Sequence, residues 1–277
     1  MSFYFPRQKI YITVPYKNGF TSALNFFVSV EKFLESQNYQ IQNLDNLDGI
    51  NINKDFSVHA KSGTYSAEPF RQLATKENLK EAEIRFFIIR DPYKRFSSFW
   101  HDRILNGPDP YFAKIHAELT SKYDLTNERE IQIAASEFLN NLSKPLTKTI
   151  TNGHLWPQIY ITKGKYYDFI TATDDLSQLP GNLASKSDSF RAFGSHSLPA
   201  LNKSTNSKIP LTWNENMKTN LEKSYKPDLI FYRGFYNNLC ESALDIRTQL
   251  KKAHSEIGFY GNFLISARGT LKQIKGK

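Results

Sequence analysis

Cysteine is almost missing from this chain of 277 residues: Cys240 stands alone. One cysteine excludes an intramolecular disulfide and a cysteine-based metal cluster, and it fits a reducing compartment. Long apolar runs are missing too. The longest near the motifs described below is residues 86–89, far short of the ~20 residues a membrane helix needs. A first strand is reached by Lys9, which leaves no room before it for the apolar stretch of a signal peptide. A soluble, cytoplasmic protein without a membrane span is expected. The chain has no solenoid or propeller repeat. It also has no metal-ligand spacing such as His-Glu-x-x-His, so no metal is expected. Basic residues form no long block, although 36 Lys and Arg against 27 Asp and Glu leave a formal charge of +9. A basic surface attracts anions. A nucleotide cofactor, an acidic polymer substrate and nucleic acid all fit that sign, and the scatter of the basic residues weakens the nucleic-acid reading. The tail over residues 268–277 holds four basic residues and reads as a flexible, solvated end.

What is abundant is core material: 40% hydrophobic residues, with 21 Phe, 15 Tyr and 3 Trp. That excludes a disordered chain. It suffices for one large α/β domain or two small ones, and we read residues 1–277 as one domain. Strands are expected over 9–14, 56–60, 84–89, 167–171 and 228–232. Helices are expected over 20–35, 68–75, 92–105, 109–120, 127–142, 174–184, 212–224 and 235–253. In the first helix Phe20, Ala23, Phe27, Val30 and Leu34 recur at helical spacing and form a face for a sheet. Ile84, Phe86, Phe87, Ile88 and Ile89 make a near-continuous apolar strand, the pattern of a parallel sheet covered on both sides. Alternating strands and helices imply a three-layer α/β fold with a central, mostly parallel sheet. Residues 185–210 are rich in Ser, include Asn and Gly, and lack periodicity; a stretch of that length is a candidate lid.

Two motifs carry chemistry. The first, Lys17-Asn18-Gly19-Phe20-Thr21-Ser22, lies between a short apolar strand and the first helix. Strand, small polar loop, then helix is the layout that holds a phosphate-type anion: loop amides and the helix N-terminus point at it, and the helix dipole favours negative charge there. Lys17 adds a cation, and Thr21 and Ser22 add hydroxyls. The second motif runs from Arg90 through Asp91 and Pro92 to Ser98, just past the apolar strand. Asp91 suits an N-cap and Pro92 the first helical position. An arginine fork with a serine hydroxyl suits a phosphate monoester. By itself, Arg90 also fits a plain pairing with Asp91.

Taken together, the two motifs resemble those of the sulfotransferases, most closely the branch that modifies carbohydrates. The Arg90 to Ser98 spacing matches without a gap, whereas Tyr16 separates Pro15 from Lys17 where the family's first loop has them adjacent. His154-Leu155-Trp156-Pro157-Gln158, Tyr167-Asp168-Phe169-Ile170, Asn202-Lys203-Ser204 and Pro227-Asp228-Leu229-Ile230-Phe231-Tyr232 resemble further elements of that branch, so the likeness spans residues 10–232. It implies a P-loop-like phosphosulfate-binding loop and the donor 3′-phosphoadenosine-5′-phosphosulfate (PAPS), with adenosine 3′,5′-bisphosphate (PAP) as product. Lys17, Asn18, Gly19, Phe20, Thr21 and Ser22 would hold the 5′-phosphosulfate. Arg90 and Ser98 would hold the 3′-phosphate, and Lys203 and Ser204 would close over the cofactor. The implied partner is a hydroxyl acceptor, in this branch a glycan or another sugar-containing molecule.

Sulfuryl transfer is an in-line displacement, formally like phosphoryl transfer. Lys17 can stabilise the charge that grows on the bridging oxygen, and the acceptor hydroxyl needs a base. His59, at the end of the 56–60 strand, resembles the family's base and has a suitable pKa range; a core histidine bonded to a carbonyl fits it equally. Lys61 supports His59, meets an acidic substrate, or is merely solvated. His154 is the second base or a substrate contact, and a structural role beside Trp156 fits it equally. Two other functions compete. A P-loop kinase or ATPase needs Gly-x-x-x-x-Gly-Lys-Ser/Thr, and here the lysine comes early and precedes Asn18. A basic nucleic-acid-binding module leaves the paired Lys17 and Arg90 loops unexplained.

Overall fold

The computed structural model of the protein describes residues 2–15, 20–43, 72–106, 110, 112–143, 153–195, 198 and 210–256. The chain divides into two compact units. The first gathers residues 1–90, 164–205 and 241–246, and the second residues 91–163, 206–240 and 247–277.

The first unit is built on a mixed sheet of five strands in the order β3-β1-β2-β4-β5. These are β1 (Ser2–Phe5), β2 (Ile10–Thr13), β3 (Gln72–Leu73), β4 (Ile84–Ile89) and β5 (Phe169–Ala172). β1 pairs antiparallel with β2 and β3, while β2, β4 and β5 pair in parallel. Hence β1 alone opposes the direction of its four companions. Side chains alternate between faces along each strand. Register sets Phe3 beside Ile12, Ile12 beside Phe86, and Phe86 beside Phe169, all on one face. Phe86 and Phe169 stack at 5.0 Å. On the other face Tyr11, Thr13, Phe87 and Ile89 are also buried. The uninterrupted apolar run over 86–89 is therefore a strand enclosed on both sides, as its sequence anticipates.

α1 (Phe20–Ser36) packs on the first face through Phe27, whose ring lies 5.5 Å from Phe5 and 5.7 Å from Phe86. Glu31, on the same helix, accepts from Arg7 N (2.8 Å) and Gln8 Nε2 (2.7 Å), which ties the β1–β2 turn to α1. Burial pushes the Glu31 carboxyl up from its ordinary range, against those hydrogen bonds. A 3-10 helix, Asp188–Ser195, completes this core: Phe193 lies 5.5 Å from Phe26. It falls in the stretch 185–210 expected to lack periodic structure, and residues 196–197 and 199–209 lie outside the described residues.

The second unit is helical: α3 (Pro92–Phe99), α4 (Ala113–Thr120), α5 (Glu128–Leu142), α7 (Glu215–Ser224) and α8 (Lys226–Tyr236). α2 (Lys76–Glu81) and α6 (Leu179–Ala184) belong to the first unit, and the division cuts α9 (Ala243–Ser255) after Ile246. Phe96, Phe99, Trp100, Phe138 and Met217 form the second core. Asp91 caps α3 by accepting from Lys94 N at 2.9 Å, with Pro92 in the first turn, as expected.

Three expected elements differ. Residues 228–232 are not a strand but part of α8. A short apolar run cannot distinguish the two; Pro227 opens the helix, and Pro227, Phe231 and Gly234 are buried at helical spacing. Of the helix expected over 68–75, residues 68–71 lie outside the described residues, 72–73 form β3, paired with β1, and α2 starts only at Lys76. Thr75 decides that start: its hydroxyl accepts from Asn78 N at 3.2 Å, and Asn78 Oδ1 accepts from Thr75 N at 3.0 Å. The helix expected over 235–253 is broken, because Asn238 turns left-handed (φ 57°) and Ser242 and Asp245 cap a new start. The strand expected over 56–60 lies outside the described residues.

Candidate functional site

Because β2 and β4 are parallel neighbours, both leave the same edge of the sheet. β2 ends at Thr13, and α1 starts at Phe20. Arg90 follows the last residue of β4, and Thr173 follows β5, donating from its hydroxyl to Ile89 O at 3.1 Å. Ligands of α/β sheets gather outside such carboxyl ends. Within the first unit, the root of the Lys17 loop and Arg90 thus stem from adjacent strands at one edge. Lys17, Asn18 and Gly19 themselves lie outside the described residues, as do His59, Lys61, Lys203 and Ser204.

α1 is long enough, at 17 residues, to carry a full dipole, and its first turn holds no acidic side chain to compete with an anion. Phe20 and Thr21 open the helix, and Ser22 is buried in its first turn. One turn on, Asn25 is 1% exposed, and among the described residues its amide nitrogen and oxygen have no hydrogen-bond partner; the same holds for the Ser29 hydroxyl. Unsatisfied burial of this kind costs about 1–3 kcal/mol per group. Arg90 and Ser22 carry a guanidinium and a hydroxyl, and α1 has a helix N-terminus; groups of these kinds suit phosphate and sulfate oxygens.

The Arg90 to Ser98 motif crosses the division between the units, which falls between Arg90 and Asp91. Ser98 is half-buried and donates to Asp102 Oδ2 at 3.4 Å, so any anion there competes with a carboxylate already in reach. α3 runs into a π-helical turn, Trp100–Leu105. That geometry is uncommon and frequent at functional sites.

In the second unit a network forms that sequence reasoning missed. Arg95, 3% exposed, donates from its guanidinium to His154 O (3.1 Å) and Trp156 O (2.8 Å). Asp228, wholly buried, accepts from Gln158 N (2.8 Å) and Ile159 N (3.0 Å) and stands 3.9 Å from the Arg95 guanidinium. Burial pushes the Asp228 carboxyl up to about 6, against the pull of Arg95 and the two amides. The only signal available was that all three segments lie in motifs already singled out. His154 sits in a turn with its ring 6.4 Å from that of Phe112, edge to face.

The family model described as the sulfotransferase family matches residues 3–233. The chain belongs to the sulfotransferase family. No curated protein and no solved structure matches it in parallel comparisons. This sulfotransferase is accordingly a PAPS-dependent transferase, and its family implies a hydroxyl acceptor. Among the described residues no helix is long and apolar enough to cross a membrane, and no group of three or more His, Cys, Asp or Glu side chains is placed to hold a metal ion.

Proposed function

We propose that this sulfotransferase moves a sulfuryl group to a hydroxyl of a carbohydrate acceptor, in the cytoplasm and within one catalytic domain. The observation that carries the site assignment is the parallel β2–β4 pair, which roots the Lys17 loop and Arg90 on one sheet edge. PAPS, when bound, supplies the activated sulfuryl group and leaves as PAP. In this reading Lys17, with Asn18, Gly19, Phe20, Thr21 and Ser22, forms a P-loop-like cradle for the 5′-phosphosulfate. Lys17 stabilises negative charge growing on the bridging oxygen. Arg90 and Ser98 hold the 3′-phosphate, and Lys203 and Ser204 close over the nucleotide. His59 takes the proton of the acceptor hydroxyl, and His154 orients that acceptor or shares the role of base. The formal charge of +9 favours an acidic acceptor.

The test pairs PAP binding with transfer of labelled sulfate to a glycan panel. Lys17→Ala is expected to lower turnover by about 100-fold or more. Arg90→Ala is expected mainly to weaken PAP binding, and His59→Ala to lower turnover with PAP affinity kept. Normal turnover in Lys17→Ala would remove the loop from the mechanism. Tight binding of ATP with magnesium in preference to PAP would favour a kinase, and strongly salt-dependent binding of arbitrary nucleic acid would favour a binding module.

A further inference from the structure

Residues 154–159 form no strand or α-helix until the 3-10 turn at Gln158–Thr162, yet their backbone is tightly held. Arg95 takes the carbonyls of His154 and Trp156, Tyr225 donates from its hydroxyl to the carbonyl of Leu155 (3.0 Å), and Asp228 takes the amides of Gln158 and Ile159. Pro157 has no amide to offer. Five backbone groups are thus gripped by three side chains that come from α3 and from the start of α8. The Arg95 guanidinium also lies over the Tyr225 ring at 5.7 Å, so the three side chains brace one another.

Such a cluster is a poor device for stability. Desolvating a carboxylate and a guanidinium often costs more than their attraction returns, and well-packed apolar residues usually do as well. What it supplies is a single backbone path, since each bond has one direction and one length. The residue at the head of that path is His154. We propose that Arg95 and Asp228 are a positioning pair, which fixes residues 154–159 and thereby sets the place and orientation of the His154 imidazole. The inference rests on the proposed reading in which His154 meets the acceptor.

Two readouts keep the inference and that reading apart. The first is the His154 ring in long-range proton–nitrogen spectra, assigned with His154→Ala. Asp228→Asn keeps the shape of the side chain but removes its charge and one acceptor, and it is expected to move the His154 ring signals while those of His116 stay in place. Unmoved His154 signals in a folded variant overturn the inference. The second readout is turnover. Asp228→Asn is expected to lower kcat by about 10-fold or more, as small misplacements of reacting groups do, with PAP affinity kept. In the His154→Ala background the same change is expected to add less than about 2-fold, since coupled residues are not additive. Full multiplication of the two losses overturns positioning through His154. Moved ring signals together with normal turnover in His154→Ala would instead leave the positioning intact and refute the role assigned to His154. Should Asp228→Asn fail to fold, Arg95→Lys carries the same measurements: it keeps the charge and gives up the planar fork that spans two carbonyls.

Discussion

Replacing Asp228 by Asn should change how stability depends on pH, and by an amount the structure bounds. The carboxyl is wholly buried, and desolvation raises it from the ordinary 3.8 to about 6 despite Arg95 and two backbone amides. In the unfolded chain it returns to the ordinary value, so the native state binds this proton more tightly. The contribution is therefore fully present below pH 3.8 and is lost as pH rises through 6. Between pH 7.5 and pH 5 a single group of this kind gains on the order of 1 kcal/mol. Asn does not titrate, and the other groups cancel when wild type and variant are compared at each pH. Urea denaturation of both proteins should show the wild type more stable at each pH. Its advantage should widen by roughly 1 kcal/mol on going from pH 7.5 to pH 5. A constant gap, or one that narrows toward low pH, would refute the reasoning. It would mean that Arg95 and the amides outweigh burial and hold the carboxyl at or below its ordinary range.

Two further substitutions test the framework around the site. Phe27→Ala removes a fully buried ring that contacts Phe5, Phe26 and Phe86, and it should cost about 3–5 kcal/mol in chemical denaturation; a loss near zero would mean that α1 does not anchor this sheet face. Asp91→Ala removes the cap on Lys94 N and should cost about 1 kcal/mol in the same assay, an effect that Asp91→Ser should largely restore.

Local chemistry was enough for the elements that bear the nucleotide motifs. The strand over 84–89 agrees with β4 residue for residue, since its β-branched and aromatic residues, closed by Asp91-Pro92, favour a strand. The helix after Arg90 starts where Asp91 and Pro92 demand, and α1 begins at Phe20 as its periodicity implies. β1 escaped notice because four residues at a chain end carry almost no periodic signal; only pairing with β2 and β3 makes them a strand. The run 228–232 misled for the opposite reason: Leu229, Ile230 and Phe231 suit a strand and a buried helix equally, and burial at helical spacing chose the helix.

The chemistry of the motifs, meaning which residues offer charge, hydroxyls and caps near strand ends, follows from residue type and spacing, because those preferences act over a few bonds. Which strands lie side by side does not. Placing the root of the Lys17 loop next to Arg90 needed the parallel β2–β4 pair, formed by segments some 70 residues apart. Bringing Arg95, His154 and Asp228 together needed the folding of the second unit, since a buried charge finds its partner by packing and the separation along the chain, 133 residues from Arg95 to Asp228, carries no trace of the meeting.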